Sequence, residues 1–96
     1  MIHDCKTVYS GDYVYRLSYK LTNIKGNFFV TIMSEKFKKD VFLSEGDSPL
    51  AEESEESTEK LIGMNKLEAN KLFQELKENL VFPCSLTYIL EDIGCL

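Results

Sequence analysis

The segment 65–94 constrains the fold most, because it encodes two amphipathic helices in succession. Asn65, followed three residues later by Glu68, is typical of a capping box, in which each side chain accepts a hydrogen bond from the other residue's backbone N–H. The first helix is therefore predicted to run from Lys66 to about Asn79. One stripe at helical spacing is apolar: Ala69, Leu72, Phe73, Leu76 and Leu80.

Pro83 separates this helix from a second, shorter one. Proline ends the helix that precedes it and suits the first turn of the helix that follows. The second helix is predicted to end near Gly94, because glycine is the commonest C-terminal cap. Its apolar residues also recur at helical spacing: Leu86, Ile89, Leu90 and Ile93. The segment thus predicts a helical hairpin.

Upstream of the helices, apolar residues recur at every second position, which is typical of strands. The clearest strand is predicted over 13–22. Five of its residues share one face: Tyr13, Tyr15, Leu17, Tyr19 and Leu21. A weaker strand is predicted over 2–9, before a turn at Gly11, and Gly26 indicates a hairpin loop over 23–27.

The next strand, predicted over 28–37, is apolar on both faces. Phe28, Val30 and Ile32 share one face, and Phe29, Met33 and Phe37 share the other. An antiparallel strand with one solvated face alternates apolar and polar residues. The second face must therefore be covered by a helix, a neighbouring segment or another subunit. Residues 40–43 are predicted to add a short further strand.

These patterns predict one α+β domain over residues 1–96. Its architecture would be an antiparallel meander of three to four strands packed against the C-terminal helical hairpin. A chain of 96 residues buries only roughly 65% of the surface that it exposes when unfolded. We therefore expect a single thin core.

The acidic residues are concentrated in one segment. Between Glu45 and Glu59 the chain carries seven acids and no base, whereas the remainder carries nine acids and eleven bases. This segment has almost no apolar side chains to offset the entropy of ordering it. Residues 44–60 are therefore predicted to form an acidic flexible loop within the domain.

Few residues suit catalysis or metal binding. His3 is the single histidine, and the three cysteines, Cys5, Cys84 and Cys95, include no C-x-x-C pair. The odd number favours reduced thiols over a disulfide framework. We therefore expect no catalytic residue, no metal ligand and no cofactor.

An enzyme would require the strand tyrosines and the two acids near the C-terminus to form one site. Tyr13, Tyr15 and Tyr19 would have to line a cleft on which Glu91 and Asp92 converge. Tyrosines on the core face of a strand explain the same pattern, with their hydroxyls at the rim. The sequence accordingly favours a protein that is not an enzyme.

No membrane or nucleic-acid partner is expected. The longest apolar runs are only a few residues, and the first residues show neither the basic nor the apolar region of a secretory signal. We therefore expect a cytoplasmic protein. Lys36, Lys38 and Lys39 form the only basic cluster, and the acidic segment nearby would repel phosphate. The reverse stays open: the acidic segment could present a phosphate-like field to a basic partner.

The tail 79–93 also carries a family resemblance. It reads N-x-V-x-P-x-x-L-x-x-I-L-E-D-I, from Asn79 through Pro83 and Glu91 to Ile93. This pattern, after a strand meander and an Asn-started helix, resembles a family of short uncharacterised proteins of Firmicutes. The resemblance is firm over 61–93 and looser over 13–33. It implies a shared fold and lineage and no activity, and it differs at Thr87 and Tyr88, where the family often has a polar pair ending in aspartate.

The sequence as a whole predicts a small interaction or regulatory module that acts by binding. The expected partner is another protein or a second copy of the chain. The candidate interaction residues are Phe29, Met33, Phe37, Phe82, Glu91 and Asp92. The alternatives are an acidic phage-type inhibitor that mimics nucleic acid and a small enzyme.

Overall fold

A computed structural model describes residues 2–44 and 51–94 of the chain. The elements in chain order are β1 (Ile2–Ser10), β2 (Tyr13–Ile24), β3 (Asn27–Lys38), α1 (Lys39–Ser44), β4 (Glu53–Leu61), α2 (Lys66–Glu78) and α3 (Pro83–Asp92). The strands form one antiparallel sheet in the order β1-β2-β3-β4. Helices α2 and α3 pack on the same face of this sheet. The predicted α+β architecture, a strand meander with helices at its C-terminal side, is confirmed.

The face of the sheet under α2 and α3, called the inner face here, holds the core. The odd-numbered residues of β2 and the even-numbered residues of β3 point inward, as the alternation predicted. The buried residues come from β2, β3, β4 and both helices, and the largest are Leu17, Tyr19, Ile32, Phe73, Leu76, Leu86 and Leu90.

The β2–β3 hairpin is closed by a two-residue turn, Lys25-Gly26. Ile24 pairs directly with Asn27, so only these two residues reverse the chain, and both have positive φ, 51° and 83°. Positive φ at both central residues is the type I′ geometry, whose twist matches that of paired strands. The Gly26 N–H also donates to the Asn23 side chain at 3.0 Å. The predicted hairpin is confirmed.

Local capping sets the bounds of α2. The Glu68 N–H donates to Asn65 Oδ1 at 2.9 Å, and the Asn65 N–H donates to Glu68 Oε1 at 3.3 Å, which confirms the capping box. At the other end the Val81 N–H donates to the Leu76 carbonyl and the Leu80 N–H donates to the Lys77 carbonyl, each at 3.1 Å. These two bonds define a Schellman motif, with Leu80 in the left-handed conformation that glycine usually occupies.

Helix α3 also ends where the sequence predicted. Pro83 is its first residue, and Gly94, at φ 75°, follows the cap residue Ile93. The Gly94 N–H donates to the Glu91 carbonyl at 3.1 Å. Within the described ranges, no helix is long and apolar enough to cross a membrane.

The prediction of a short strand over 40–43 is wrong, because this segment forms α1. The Lys39 N–H donates to the Asp12 carbonyl at 2.8 Å, which turns the chain back over the outer face of the sheet, opposite α2 and α3. Phe42 of α1 then lies on Phe37, with ring centroids 5.3 Å apart. The gain from covering Phe37 decides the conformation of this segment against its local β-propensity.

The prediction of a flexible loop over 44–60 is also wrong where the structure describes it, because Glu53–Leu61 is strand β4. It pairs along its whole length with β3, from Lys36↔Glu53 to Phe28↔Leu61. Pairing satisfies the backbone groups on the open side of a twelve-residue strand, and an edge strand tolerates charged side chains that face water. Composition alone misses this tertiary pairing. Residues 45–50 of the predicted loop lie outside the described residues.

Candidate functional site

The candidate residues on β3 do not form one apolar surface. Phe37 is 0% exposed, covered by Phe42 and by the Arg16 guanidinium, which lies 5.2 Å from the ring centroid. Its prediction as an interaction residue is therefore wrong, and α1 is the cover that the two-sided strand required. Phe29 and Met33 remain partly exposed on the outer face.

A polar row separates these two side chains. Lys20, Thr31 and Thr58 are cross-strand neighbours between them, and the two threonine hydroxyls lie 2.9 Å apart within hydrogen-bond distance. Binding surfaces of the hydrophobic kind are contiguous apolar patches. The outer face lacks that continuity at Phe29 and Met33.

The candidates of the tail lie at opposite ends of α3. Phe82 immediately precedes the helix, whereas Glu91 and Asp92 are exposed in its last turn, about 15 Å away at 1.5 Å per residue. Within residues 2–44 and 51–94, neither carboxylate forms an ion pair. Lys77 of the neighbouring helix α2 forms its ion pair with Asp4 instead, with Nζ 3.1 Å from Oδ2.

The tyrosines do not line a cleft with these acids. Tyr19 is fully buried and donates its hydroxyl to the Val81 carbonyl at 3.0 Å. Burial raises the pKa of this phenol to about 12. The hydrogen bond ties β2 to the α2–α3 connection, which is a structural role. The convergence that the enzyme alternative requires is therefore absent from the described part of the chain.

A cavity lies where the helices leave the inner face uncovered. This end groove has a volume of about 420 Å³ and is open to solvent at the end of the sheet beside Phe82. One cross-strand row, Val8, Tyr15, Lys36 and Glu53, runs through it from β1 to β4. A volume of this size is typical of small-ligand sites.

Aromatic rings form one wall of the end groove. Tyr15 and Phe82 meet edge to face, with centroids 5.4 Å apart and an interplanar angle of 80°. This geometry is favourable for aromatic pairs, and it fixes Phe82 over the groove. The sequence-predicted candidate Phe82 therefore belongs to the site, and Tyr15 belongs with it.

The charges of the end groove are not balanced internally. Glu53 and Glu55 of β4 line it and, within the described residues, form no ion pair. Lys36 is the cross-strand partner of Glu53, yet its Nζ lies 4.1 Å from the centroid of the Tyr13 ring. Among the described residues that line the groove, the one cation is thus held by an aromatic ring, which leaves two carboxylates uncompensated.

A largely buried serine also lines the groove. Ser34 is only 8% exposed, and its side chain forms no hydrogen bond with any residue that the structure describes. No buried polar side-chain atom of the described residues lacks a hydrogen-bond partner, so the unbonded Ser34 hydroxyl is accessible from the groove. A ligand atom in the groove would provide its partner.

The outer edge of β4 borders this groove. Among the strands of the described segments, β3 alone pairs with β4, so the backbone groups on its other side have no strand partner. This β4 edge carries Glu53, Glu55, Glu56 and Glu59 with one lysine, Lys60. Glu59 accepts a hydrogen bond from the Thr87 hydroxyl at 3.1 Å, which ties the edge to α3.

Sequence reasoning missed most of this site because it placed residues 53–55 in a loop. The groove residues of β1, β3 and β4 come together only through the sheet register. The sequence signal for β4 was weak. Alternate residues of this strand, Ser57, Glu59 and Leu61, are at least partly buried, but only Leu61 is apolar. In the described ranges, no group of three His, Cys, Asp or Glu side chains could hold a metal ion.

Comparison of the chain with protein-family models, with curated proteins and with solved structures found no match. The function is therefore argued from the geometry of the end groove and the β4 edge. These two features adjoin, because Glu53 and Glu55 belong to both.

Proposed function

We propose that this protein is a small interaction module that binds an extended, basic segment of another protein as a fifth strand beside β4. A cytoplasmic setting without catalysis is part of the proposal. The observation that carries it is the β4 edge, nine residues long with four carboxylates and one ammonium group. Strand addition uses such an edge, since main-chain hydrogen bonds give affinity and side-chain contacts give specificity.

The edge is suited to a partner of opposite charge. Glu53, Glu55 and Glu56 are exposed, and the described residues offer them no ion pair. Uncompensated like charge protects an edge from pairing with a second identical edge. The same charge attracts a basic strand and raises its rate of association. Charge complementarity thus favours another protein over a second copy of the chain at this edge.

The placement of the acids also favours strand addition over nucleic-acid mimicry. Neighbouring residues of a strand point to opposite faces. Glu53, Glu55 and Glu59 therefore face the helices, and Glu56 faces away. A mimic requires an unbroken phosphate-like row of charges on one surface, and Ser57 interrupts the row that Glu53, Glu55 and Glu59 form on the inner face. The alternative stays a prediction with less support from the geometry.

Fluorescence anisotropy with a labelled peptide of alternating arginine and valine tests the proposal. The full chain is expected to bind this peptide and to ignore the matched peptide of alternating glutamate and valine. Methylating alternate backbone nitrogens of the basic peptide keeps its charge but removes N–H donors. This change is expected to abolish binding.

The matched variants separate the edge from general acidity. Glu55→Gln with Glu56→Gln removes two edge charges, and Glu75→Gln with Glu78→Gln removes two exposed charges from α2. Exposed pairs contribute about 0.2–1 kcal/mol each, so the edge variant should bind about twofold to thirtyfold more weakly. Equal weakening by both variants, or full binding of the methylated peptide, would refute strand addition.

A further inference from the structure

We propose that the end groove binds the side chain of an arginine from the segment that pairs with β4. This inference rests on the proposed function and names the side chain that the site selects. An arginine site requires carboxylates, an aromatic surface and a polar group within the groove. The structure provides the carboxylates from β4, the aromatic rings from β2 and the residue before α3, and the polar group from β3.

The position of the groove suits a side chain that comes from a fifth strand. Glu53 and Glu55 form its β4 wall on the inner face. A residue of an added strand that faces inward would lie beside one of them, since paired strands are about 4.8 Å apart. The long arginine side chain can extend from that position across β4 toward Ser34.

The aromatic wall suits a guanidinium group. Tyr15 and Phe82 hold each other edge to face at 5.4 Å, so neither ring has to be ordered on binding. A planar guanidinium stacks on such rings while its methylene stem packs on Val8 and similar apolar surface. The compact, strongly hydrated ammonium of lysine gains less from this wall.

The carboxylates lack a partner within the chain. Lys36 could neutralise Glu53, its cross-strand neighbour, but its Nζ lies 4.1 Å from the centroid of the Tyr13 ring. Either carboxylate is thus available to accept two parallel N–H···O bonds from one guanidinium, the geometry that a single arginine–carboxylate pair favours.

Ser34 supplies the polar group of the groove. The residue is 8% exposed and lines the groove, and its hydroxyl, which bonds to no residue that the structure describes, is accessible there. Arginine carries five N–H donors in a fixed fork. One donor beyond those used by the carboxylates can satisfy this hydroxyl.

Nuclear magnetic resonance of the full chain, titrated with Nα-acetyl-arginine amide, tests the inference. Saturable shifts are expected at the ring resonances of Tyr15 and Phe82. The citrulline analogue has nearly the same shape without the charge and is expected to give no saturable shift. The lysine analogue is expected to bind at least threefold more weakly. Equal binding of the three compounds would overturn the inference.

Two adjacent glutamates provide the matched variants. Glu55→Gln changes the groove wall and is expected to weaken arginine binding about fivefold, whereas Glu56→Gln, on the opposite face of the same strand, should change it less than twofold. Ser34→Ala should weaken binding about threefold. Equal effects of Glu55→Gln and Glu56→Gln would show that the groove is not the site.

The test also separates this inference from the proposed function. If replacing every arginine of the basic peptide by lysine leaves its affinity unchanged while backbone methylation abolishes binding, strand addition stands and the arginine site fails. If the arginine amide binds in the groove but the methylated peptide binds as well as the parent, the site stands and strand addition fails.

Discussion

Phe37 is expected to be among the largest single contributors to stability, although its strand is apolar on both faces. The side chain is 0% exposed on the outer face, under α1. Truncating a buried phenylalanine to alanine costs about 3–5 kcal/mol through lost burial and the cavity left behind. Domains of this size are stable by about 5–15 kcal/mol. Phe37→Ala should therefore remove a large fraction of the free energy of unfolding.

The matched control is Phe29→Ala, on the same face of the same strand. Phe29 is only partly buried, and its cross-strand neighbours on this face are the polar residues Thr22 and Lys60. We expect a cost of about 1 kcal/mol, near the average for a point substitution. Urea unfolding followed by circular dichroism gives both values from the midpoint and the slope. If Phe37→Ala does not fold, Phe37→Leu replaces it and should still cost more than Phe29→Leu.

A double-mutant cycle then identifies α1 as the cover. The rings of Phe37 and Phe42 lie 5.3 Å apart, and aromatic pairs in contact couple by about 0.5–1.5 kcal/mol. The combined Phe37→Leu and Phe42→Leu variant should show coupling of this size. Zero coupling, or an equal cost at Phe29 and Phe37, would refute the argument that α1 buries one end of the outer face.

Further predictions concern Tyr19, Leu80 and Asp4. Tyr19→Phe should lower the free energy of unfolding in urea by about 1–3 kcal/mol, because it leaves the buried Val81 carbonyl without its donor. The absorbance change of the Tyr19 phenol, whose pKa is about 12, should also disappear from the alkaline titration. Stability of the wild type should fall above pH 10, because the folded pKa of Tyr19 lies above the unfolded value and the unfolded state releases the proton first. Leu80→Gly should raise the free energy of unfolding by about 1 kcal/mol by relieving the positive φ of 51°, whereas Leu80→Ala should not. The hydrogen bond from Lys77, followed by that from the Cys5 N–H, holds the pKa of Asp4 below its ordinary value of 3.8. The contribution of ionised Asp4 to stability is therefore complete above pH 3.8 and is lost as the pH falls below it. Acid unfolding of Asp4→Asn should accordingly show a smaller dependence on pH in this range.

The elements defined by local chemistry could be predicted from the sequence. The Asn65–Glu68 capping box, Pro83 and Gly94 each act within a few residues, and they set the bounds of α2 and α3 as expected. The alternation of β2 likewise assigned Leu17, Tyr19 and Leu21 to the core. The resemblance of the tail to short Firmicutes proteins stays a prediction.

The elements defined by distant contacts could not be predicted in this way. Residues 53–61 have the composition of a solvated segment, and they form β4 because β3 offers a free side for pairing. Residues 39–44 form α1 where the Lys39 N–H donates to the distant Asp12 carbonyl and turns the chain back over the sheet. In both cases the deciding free energy comes from a partner far along the chain, and no window of the sequence contains it.

The same reasoning explains why the site was only partly visible. Phe82 was predicted as an interaction residue of the tail, but its neighbours in the end groove come from four strands. The acidic residues attracted attention as a loop, and their effect changes once they lie on an edge. In a loop, Glu53 and Glu55 would be solvated charges; on β4 they stand at fixed positions beside two aromatic rings and a serine hydroxyl. Pairing with β3 therefore converts a general negative charge into a surface that can recognise the shape and the charge of one side chain.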